Sequence, residues 1–229
     1  MRTAKTVLTV IQERGKQKKP IERVYKLLFN RELYLNAYAK LYPNNGAMTK
    51  GVTNETVDGM SIQKIDRMIE ILREEKYQWK PARREYIKKK NGKKRPLGIP
   101  VWGDKVLQEV MRQILEAYYE PQFSEHSHGF RPNRGCHTAL QEIQVWKGTR
   151  WFIEGDISQY FDTIDHKILL EILARNIHDG RFIRLVSNML EAGYLEEWKF
   201  KQTISGVPQG GLCRARHKLP YDEINVMTS

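Results

Sequence analysis

The stretch RREYIKKKNGKKRPLGI, residues 83–99, carries the strongest local structural signal in the chain. Two short runs that favour strands flank Asn91-Gly92, and an Asn-Gly pair in that position is the strongest short-range signal for a β-hairpin. Pro96 has no N–H to donate to a neighbouring strand, so the second strand is predicted to be short or to lie at a sheet edge. The sequence therefore predicts a hairpin with strands over 83–90 and 93–99.

This hairpin is also strongly basic. From Lys80 to Arg95 there are nine Lys or Arg residues and a single acid, Glu85. Like charges on a two-stranded ribbon repel one another unless phosphates neutralise them. Lysines can also protect a sheet edge from aggregation, but two or three are enough for that role. Lys88 and Arg95 lie on opposite strands near the turn, where both are predicted to reach one phosphate group, with the arginine as a bidentate fork.

The composition is that of a globular protein with a polyanionic partner. Of the 229 residues, 40% are hydrophobic and 10% aromatic, which excludes a disordered tail. Two cysteines form neither a disulfide scaffold nor a zinc cluster, so a reducing, intracellular setting is expected. The net charge is +12; residues 1–100 hold 24 Lys and Arg against 10 Asp and Glu, whereas residues 101–229 hold 15 against 17. This asymmetry indicates nucleic acid first and an anionic membrane surface second, with a solvated basic face as the alternative.

Periodicity along the rest of the chain predicts an α+β fold. Helices are predicted over 21–42 (one helix or a bent pair), after an N-cap at Ser61, from Val106 to Tyr118, over 137–147, and as a pair from 166 to 190. A strand is predicted over 150–157, and Tyr194–Ile204 is predicted to be a strand or a hairpin. Helices first, then a basic hairpin, then a sheet with packed helices is an α+β order.

Residues 155–166 contain the acidic candidates for chemistry. Asp156 ends a mostly apolar strand, and its carboxylate with the backbone carbonyl of Ile157 would suit Mg²⁺. For one residue taken alone, a capping or solvated aspartate is the better interpretation. Asp165 is predicted to cap the helix that follows it, and the local pattern assigns no role to Asp162.

Two loops are rich in residues that contact ligands. FRPNRG at 130–135 carries an aromatic ring and two guanidinium groups, a weak signal for nucleic acid. GVPQGG at 206–211 combines a rigid turn with glycines that let a ligand approach the backbone, and Gln209 offers both a donor and an acceptor. A simple loop is the alternative for each. His126, His128 and His137 match no standard zinc spacing with Cys136, so a polar loop is the favoured interpretation there.

Taken in order, these segments resemble the reverse transcriptases encoded by group II introns, the intron reverse transcriptase/maturase family. The resemblance runs from about Ile21 to Gly211, and residues 44–59 are similar to the family's N-terminal extension. It rests on RPLGIP at 95–100, HGFRPNRG at 128–135, GDISQYFDTIDH at 155–166 and GVPQG at 206–210. Four ordered motifs of this length are hard to obtain by chance.

The resemblance implies the fingers and an incomplete palm of a right-hand polymerase. It divides the chain into four parts: a basic arm with a helical N-terminal extension over 1–60, fingers over 61–147, a partial palm over 148–211 and an off-family tail over 212–229. The implied reaction is attack of a primer 3′-OH on the α-phosphate of a dNTP, with two Mg²⁺ ions stabilising the attacking and leaving oxygens.

The resemblance also assigns palm residues. Asp156 corresponds to the first of three aspartates that hold the two Mg²⁺ ions, and the Ile157 carbonyl assists it. Phe161 corresponds to the steric gate that excludes a ribose 2′-OH. On this basis Asp156 is the expected catalytic residue.

Four further residues are assigned to substrate binding in the same way. Lys88 and Arg95 are expected on the triphosphate of the incoming dNTP. Gln209 is expected in the nucleotide pocket, and Arg131 is expected to contact the template or primer.

The sequence after Gly211 departs from the family. The family continues into a helix and a Tyr-x-Asp-Asp hairpin that supplies the other two aspartates, whereas residues 212–229 read LCRARHKLPYDEINVMTS and no Asp-Asp pair occurs in the chain. This departure predicts a frameshift or an early stop, and a chain that does not synthesise cDNA alone.

Two functions stay open at this stage. One is an RNA-directed DNA polymerase whose chain binds RNA template, primer strand and dNTP. The other is an intron RNA-binding (maturase) protein without polymerase activity. The sequence gives less support to a further interpretation, a reverse transcriptase of another lineage such as a retron. No membrane partner is expected, a homodimer is left open, and the expected location is the bacterial cytoplasm, or an organelle if the source is eukaryotic.

Overall fold

The computed structural model describes residues 2–44, 46–88, 92, 94–151, 153–155, 164–197 and 199–203. Its α-helices are α1 (Ala4–Lys16), α2 (Val24–Leu27), α3 (Arg31–Leu41), α4 (Ile62–Arg73), α5 (Trp102–Tyr119), α6 (Cys136–Gln144), α7 (His166–Asn176) and α8 (Gly180–Glu191). Its strands are β1 (Ile21–Glu22), β2 (Ala82–Lys88), β3 (Lys94–Ile99), β4 (Ile177–His178), β5 (Tyr194–Glu196) and β6 (Lys199–Lys201). The predicted α+β class is confirmed.

Helix α5 is the centre of the hydrophobic core. Its apolar residues recur at helical spacing and are buried; Val106, Leu107, Val110, Met111 and Ile114 are all inaccessible to solvent. Helices α1 and α3 pack against it. Gly15 allows the close approach of α1, because a Cβ at that position would lie 2.0 Å from the carbonyl oxygen of Tyr118.

The segment over 21–42 is a bent helix pair with a short strand before it. β1 pairs in parallel with β4. Arg23 has a φ of 55°, in the left-handed region, and separates β1 from α2. Asn30 then caps α3 by accepting a hydrogen bond from the backbone N–H of Glu32 at 3.0 Å. The bent-pair form of the prediction is therefore the correct one.

The predicted hairpin forms and lies in a four-stranded sheet of order β3-β2-β5-β6. Strands β2 and β3 are antiparallel, with Arg83 opposite Ile99 and Lys88 opposite Lys94. Because β3 is an edge strand, Pro96 sits where a residue without an N–H is tolerated. β5 joins β2 in parallel and pairs with β6 as an antiparallel hairpin, which confirms the hairpin form of the prediction for 194–204 over its described residues.

Two predicted helix caps are confirmed. The Ser61 hydroxyl accepts from the N–H of Lys64 at 3.3 Å, at the start of α4. The Asp165 carboxylate accepts from the N–H of Lys167 at 2.7 Å and of Ile168 at 3.2 Å, at the start of α7. Each satisfies N–H groups that a helix leaves without partners in its first turn.

The strand predicted over 150–157 is not observed in its described residues. Residues 150, 151 and 153–155 have no strand structure, and Asp156 and Ile157 lie outside the described residues. Trp151 and Ile153 are almost fully exposed. An alternating segment becomes a strand only with a hydrogen-bonding neighbour, and none of the described strands pairs with this one.

Candidate nucleic-acid interface

The tip of the β2–β3 hairpin presents an exposed pair of lysines. Lys88 and Lys94 are directly opposite each other in the strand register, and both are exposed. Arg95 is opposite Ile87 instead, so Lys94 and not Arg95 is the cross-strand neighbour of Lys88. The Arg95 side chain lies outside what the structure describes, and the joint binding of a triphosphate by Lys88 and Arg95 stays a prediction.

The two arginines at the base of the hairpin, Arg83 and Arg84, contact other parts of the protein. Arg83 donates to the backbone carbonyl of Lys50 from Nε at 3.1 Å and from Nη2 at 2.8 Å, and it pairs with Glu85. The guanidinium of Arg84 lies 3.7 Å from the ring centroid of Tyr194 on β5. Among the described basic residues of the hairpin, Arg83 and Arg84 are therefore structural cations at the base, and Lys88 and Lys94 are exposed.

A buried aspartate fixes the segment that leads into β2. Asp104, near the start of α5, accepts a hydrogen bond from the hydroxyl of Tyr77 at 2.6 Å and one from the backbone N–H of Lys80 at 3.0 Å. Burial raises the pKa of the Asp104 carboxyl to about 6, although both hydrogen bonds oppose the rise. The same burial, with the charge of Asp104, raises the pKa of Tyr77 well above its ordinary value.

An open groove of about 810 Å³ lies beside the hairpin. Its walls come from the loop 44–51, strand β3, helix α5 and the loop 130–132. Phe130 supplies exposed aromatic surface, Trp102 lies almost fully buried in the groove wall, and Lys40 and Lys105 supply positive charge. The indole N–H of Trp102 is buried and has no hydrogen-bond partner among the described residues. Aromatic rings combined with cations are the usual lining of a single-stranded nucleic-acid site.

The loop 44–51 is held over this groove through its backbone carbonyls. Lys105 Nζ donates to the carbonyls of Thr49 at 3.0 Å and Gly46 at 3.4 Å, and Arg83 holds Lys50 as described above. Gly51 packs directly on the chain before α5, where a Cβ would lie 2.8 Å from the Pro100 carbonyl oxygen. Burial, and then the charge of Arg83, lowers the pKa of Lys105. A half-buried cation and a glycine contact thus fix the loop's position.

One side of the groove is electrostatically balanced. Arg112 donates to Glu109 from Nε at 2.7 Å and from Nη2 at 2.8 Å, and it also pairs with Glu116. Burial alone would lower the pKa of Arg112, but the two glutamates raise it overall. Lys40 lies 3.3 Å from Glu109. Arg112 is therefore neutralised inside the protein and adds little net charge to the groove.

Arg131, predicted to contact template or primer, is engaged within its own loop. Its Nε donates to Glu120 at 2.9 Å, and its Nη1 donates to the carbonyls of Ser124 at 2.6 Å and Ser127 at 2.9 Å. The guanidinium also lies 5.5 Å from the ring centroid of Phe123. These contacts shape the loop that exposes Phe130 to the groove. A direct contact of Arg131 with nucleic acid stays a prediction.

The histidines nearby form a polar contact with α6. His128 Nε2 lies 2.6 Å from a Glu142 carboxylate oxygen, and its Nδ1 lies 2.8 Å from the Thr138 hydroxyl. His126 contacts the other oxygen of Glu142. These hydrogen bonds with the two histidines lower the pKa of Glu142.

The residues predicted to hold metal and nucleotide from the palm side lie outside the described residues: Asp156, Ile157, Phe161 and Gln209. Their roles stay predictions. Within the part of the chain that is described, no three His, Cys, Asp or Glu side chains converge as ligands of a metal ion. Nor is any helix in that part long and apolar enough to cross a membrane.

Sequence reasoning missed Lys105 and Trp102 as groove residues. Both belong to α5, whose pattern indicates only an amphipathic core helix. Their partners lie more than 50 residues earlier in the chain, as in the Lys105–Thr49 contact. No local signal links such distant positions, so only the fold reveals the groove.

Comparison with known proteins defines the class. Residues 87–213, more than half of the chain, match the family described as reverse transcriptase (RNA-dependent DNA polymerase). The chain therefore belongs to the reverse transcriptase family.

Its relatives place it in the intron-encoded branch of that family. It is 50% identical over 192 residues to the group II intron-encoded protein LtrA of Lactococcus lactis subsp. cremoris, covering 83% of this chain and 32% of LtrA. It is 46% identical over 217 residues to an uncharacterized 91 kDa protein in the cob intron of Schizosaccharomyces pombe, covering 91% of this chain and 27% of that protein. It is 36% identical over 93 residues to nuclear intron maturase 1, mitochondrial, of Arabidopsis thaliana, covering 40% of this chain and 13% of that protein. The chain thus spans about a third, or less, of the length of these relatives.

Proposed function

We propose that this chain is the template-binding part of a group II intron reverse transcriptase, and that RNA lies in the groove between the loop 44–51 and α5. The observation that carries the proposal is the groove itself. It joins the exposed aromatic ring of Phe130 to the cations Lys40 and Lys105, next to the RPLGIP motif at 95–100. Bases stack on aromatic rings and phosphates pair with cations, so the lining fits a single strand.

On this proposal residues 61–147 form the fingers of a right-hand polymerase, and the palm begins near residue 148. On this proposal the exposed Lys88 and Lys94 at the hairpin tip meet phosphates, and Arg95 joins Lys88 on a dNTP. Arg83 and Arg131 shape the interface from inside.

The metal site belongs to the proposal only through the family resemblance. Asp156 and the Ile157 carbonyl would hold Mg²⁺, which would stabilise charge on the reacting phosphate. Phe161 would exclude a 2′-OH, and Gln209 would contact the nucleotide. On this proposal the 229-residue chain binds RNA. It does not extend a primer alone, because only one of the three expected aspartates is present.

RNA binding is tested by fluorescence anisotropy with a labelled single-stranded RNA over a series of salt concentrations. The double variant Lys88→Glu/Lys94→Glu removes two phosphate contacts, so the slope of log K against log salt falls by about 1.4 in magnitude. The matched control Lys167→Glu/Arg175→Glu makes the same change in charge on the exposed surface of α7 and leaves the slope near that of the parent chain. Equal losses in both variants would mean that only the overall charge matters, and would contradict the assigned interface.

Primer extension tests the second part of the proposal. The purified chain with Mg²⁺, a primed RNA template and dNTPs is expected to give no product. Product that disappears in the Asp156→Ala variant would refute the claim that the chain is inactive alone.

The second candidate function is binding of structured intron RNA without synthesis, as in a maturase. The names of the Lactococcus and Arabidopsis relatives favour it, since both refer to introns. Competition separates the two candidates: a single-strand template site is blocked by short unstructured RNA, whereas an intron-specific site is blocked only by the folded intron.

A further inference from the structure

The four-stranded sheet has a second face, which points away from the groove. Side chains alternate between the two faces along a strand, and residues directly opposite each other on neighbouring strands share a face. Arg83 points to the side where it holds Lys50 beside the groove, so Arg84 points to the other side, where it contacts the Tyr194 ring. We call this side the outer face; it consists of Arg84, Tyr86 and Lys88 on β2 and the residues that the register places beside them on β3, β5 and β6.

The outer face is strongly basic. Among its described residues, a single carboxylate, Glu196, accompanies five cations: Arg84 and Lys88 on β2, Lys94 on β3, and Lys199 and Lys201 on β6. All four lysines are exposed. Like charges this close together repel one another unless a polyanion neutralises them. Lysines on the edge strands β3 and β6 also discourage aggregation, but that role does not account for the aromatic surface between them.

An exposed tyrosine lies among these cations. The Tyr86 side chain is 48% exposed and is two residues from Lys88 on the same strand. Its hydroxyl donates to Glu196, which also accepts a hydrogen bond from Lys201. The hydrogen bond from Lys201, and then the one from Tyr86, lower the pKa of Glu196, so the carboxylate stays ionised and remains an acceptor. The Tyr86 ring is therefore held in place while about half of the side chain stays open to solvent.

We propose that the outer face binds single-stranded nucleic acid, with one base stacked on Tyr86 and the neighbouring phosphates on the exposed lysines. Stacking on aromatic rings and pairing with cations are the two interactions that hold single strands without regard to sequence. Sheet faces with exposed aromatic rings bind single-stranded RNA in this way. A ring already fixed through its hydroxyl loses little freedom when a base stacks on it, and this favours binding.

This site is separate from the groove. The groove is lined by Leu97 and Ile99 of β3, whose cross-strand neighbours Glu85 and Arg83 lie on the opposite face from Tyr86. Neither Tyr86 nor any residue of β6 lines it. The inference goes beyond the proposed function and shares only the two tip lysines with it. The chain would then hold one stretch of nucleic acid in the groove and another on the outer face.

Isothermal titration calorimetry of the full 229-residue chain counts the sites. The probe is an oligouridine of about eight nucleotides, within the length that one single-strand site covers. The parent chain is expected to bind two equivalents. Tyr86→Ala is expected to weaken one of them about fivefold to a hundredfold, because one stacked base is lost. Phe130→Ala is expected to weaken the other equivalent, which occupies the groove.

Matched variants make the test specific. Phe200→Ala removes an exposed ring from the opposite face of the same sheet, where Phe200 pairs with Leu195, and is expected to leave both sites unchanged. Tyr86→Phe keeps the ring and is expected to retain most of the affinity. Lys199→Glu is expected to weaken the outer site, whereas Lys167→Glu makes the same change in charge on α7 and should not. These side chains are exposed, so the variants should fold, which circular dichroism verifies.

Three results would overturn the inference. They are a single equivalent in the parent chain that only Phe130→Ala weakens, equal losses in Tyr86→Ala and Phe200→Ala, and a loss in Tyr86→Phe as large as that in Tyr86→Ala. A single equivalent that Tyr86→Ala weakens and Phe130→Ala leaves intact would instead refute the groove and support the outer face. Oligothymidine of the same length is titrated in parallel, and the strand that loses more affinity in Tyr86→Ala is the one that this face binds.

Discussion

Helix α5 and the segment 136–155 show how similar sequence patterns can end in opposite environments. Both place apolar residues at helical or alternating spacing, as at Val106, Val110 and Ile114 in α5 and at Leu140 and Ile143 in α6. In α5 the pattern meets α1 and α3 and is buried; in α6 it meets solvent. Amphipathic spacing therefore predicts that one face of a helix is apolar. The rest of the fold determines whether another element buries that face.

The largest expected difference between these regions is in the free energy of unfolding after matched Leu→Ala substitutions in α5 and α6. Leu107→Ala leaves a cavity in α5 and is expected to cost about 2–5 kcal/mol of unfolding free energy. Leu140→Ala removes the same atoms from an exposed site and is expected to change stability by no more than about 0.5 kcal/mol. Urea denaturation followed by circular dichroism measures both. Similar costs at the two sites would mean that Leu140 is covered within the chain itself.

The pH dependence of the free energy of unfolding tests the burial of Asp104, near the start of α5. The folded pKa of Asp104, about 6, is raised above the ordinary 3.8, so folding favours the protonated carboxyl. The stability linked to this group is fully present below about pH 4 and is lost as the pH rises through 6. Asp104→Asn mimics the protonated form and removes this dependence.

The unfolding free energy of the parent chain, relative to that of Asp104→Asn, is therefore expected to fall by about 2 kcal/mol from about pH 4.5 to about pH 7.5. Urea denaturation of both proteins across this range provides the measurement. A parallel pH profile for parent and variant would show that Asp104 does not titrate with a raised pKa. Tyr77→Phe, which removes one hydrogen bond to the ionised form, is expected to steepen the fall.

Local features of this fold follow from local sequence. The β2–β3 hairpin, the caps at Ser61 and Asp165, and the edge position of β3 each depend on residues within a few positions of one another. Turn chemistry, cap hydrogen bonds and the missing N–H of Pro96 act over that range, so short patterns predict them.

The groove and its supports depend on long-range contacts instead. Lys105 meets Thr49, and Arg84 meets Tyr194, across 56 and 110 residues of chain. The strand predicted over 150–157 belongs to this class too, because strand structure requires a partner elsewhere. Arg131 is a different case, because its partners Glu120, Ser124 and Ser127 are near in sequence, but the loop pattern alone does not show that they already bind the guanidinium.

Close backbone contact between α1 and α5 offers a test with a smaller effect. Gly15→Ala would place a Cβ 2.0 Å from the Tyr118 carbonyl oxygen, so α1 must shift, at an expected cost of about 1–3 kcal/mol. Gly180→Ala is the matched change at a helical glycine with nothing within 4 Å of the added atom, and it is expected to be neutral or slightly stabilising. Thermal unfolding of both variants checks the contrast. Equal behaviour would indicate that α1 does not pack against α5 through Gly15.

The smallest expected effect concerns the loop 44–51, which joins the well-packed α5 to the groove. Lys105→Met keeps the length and apolar stem of the side chain but removes the donor to Thr49 and Gly46, so the loop loses its fixed position over the groove. RNA affinity is expected to fall about threefold to tenfold, which corresponds to roughly 0.7–1.4 kcal/mol. Lys105→Arg restores a donor and should recover part of the affinity. If Lys105 only contacted an RNA phosphate, the Arg variant would bind RNA as tightly as the parent. Stability of the Met variant should stay close to that of the parent, because Lys105 is half-buried and loses only exposed carbonyl partners. If Lys105→Met instead binds RNA as tightly as the parent while Lys88→Glu/Lys94→Glu does not, the hairpin tip would bind RNA without the help of a positioned loop.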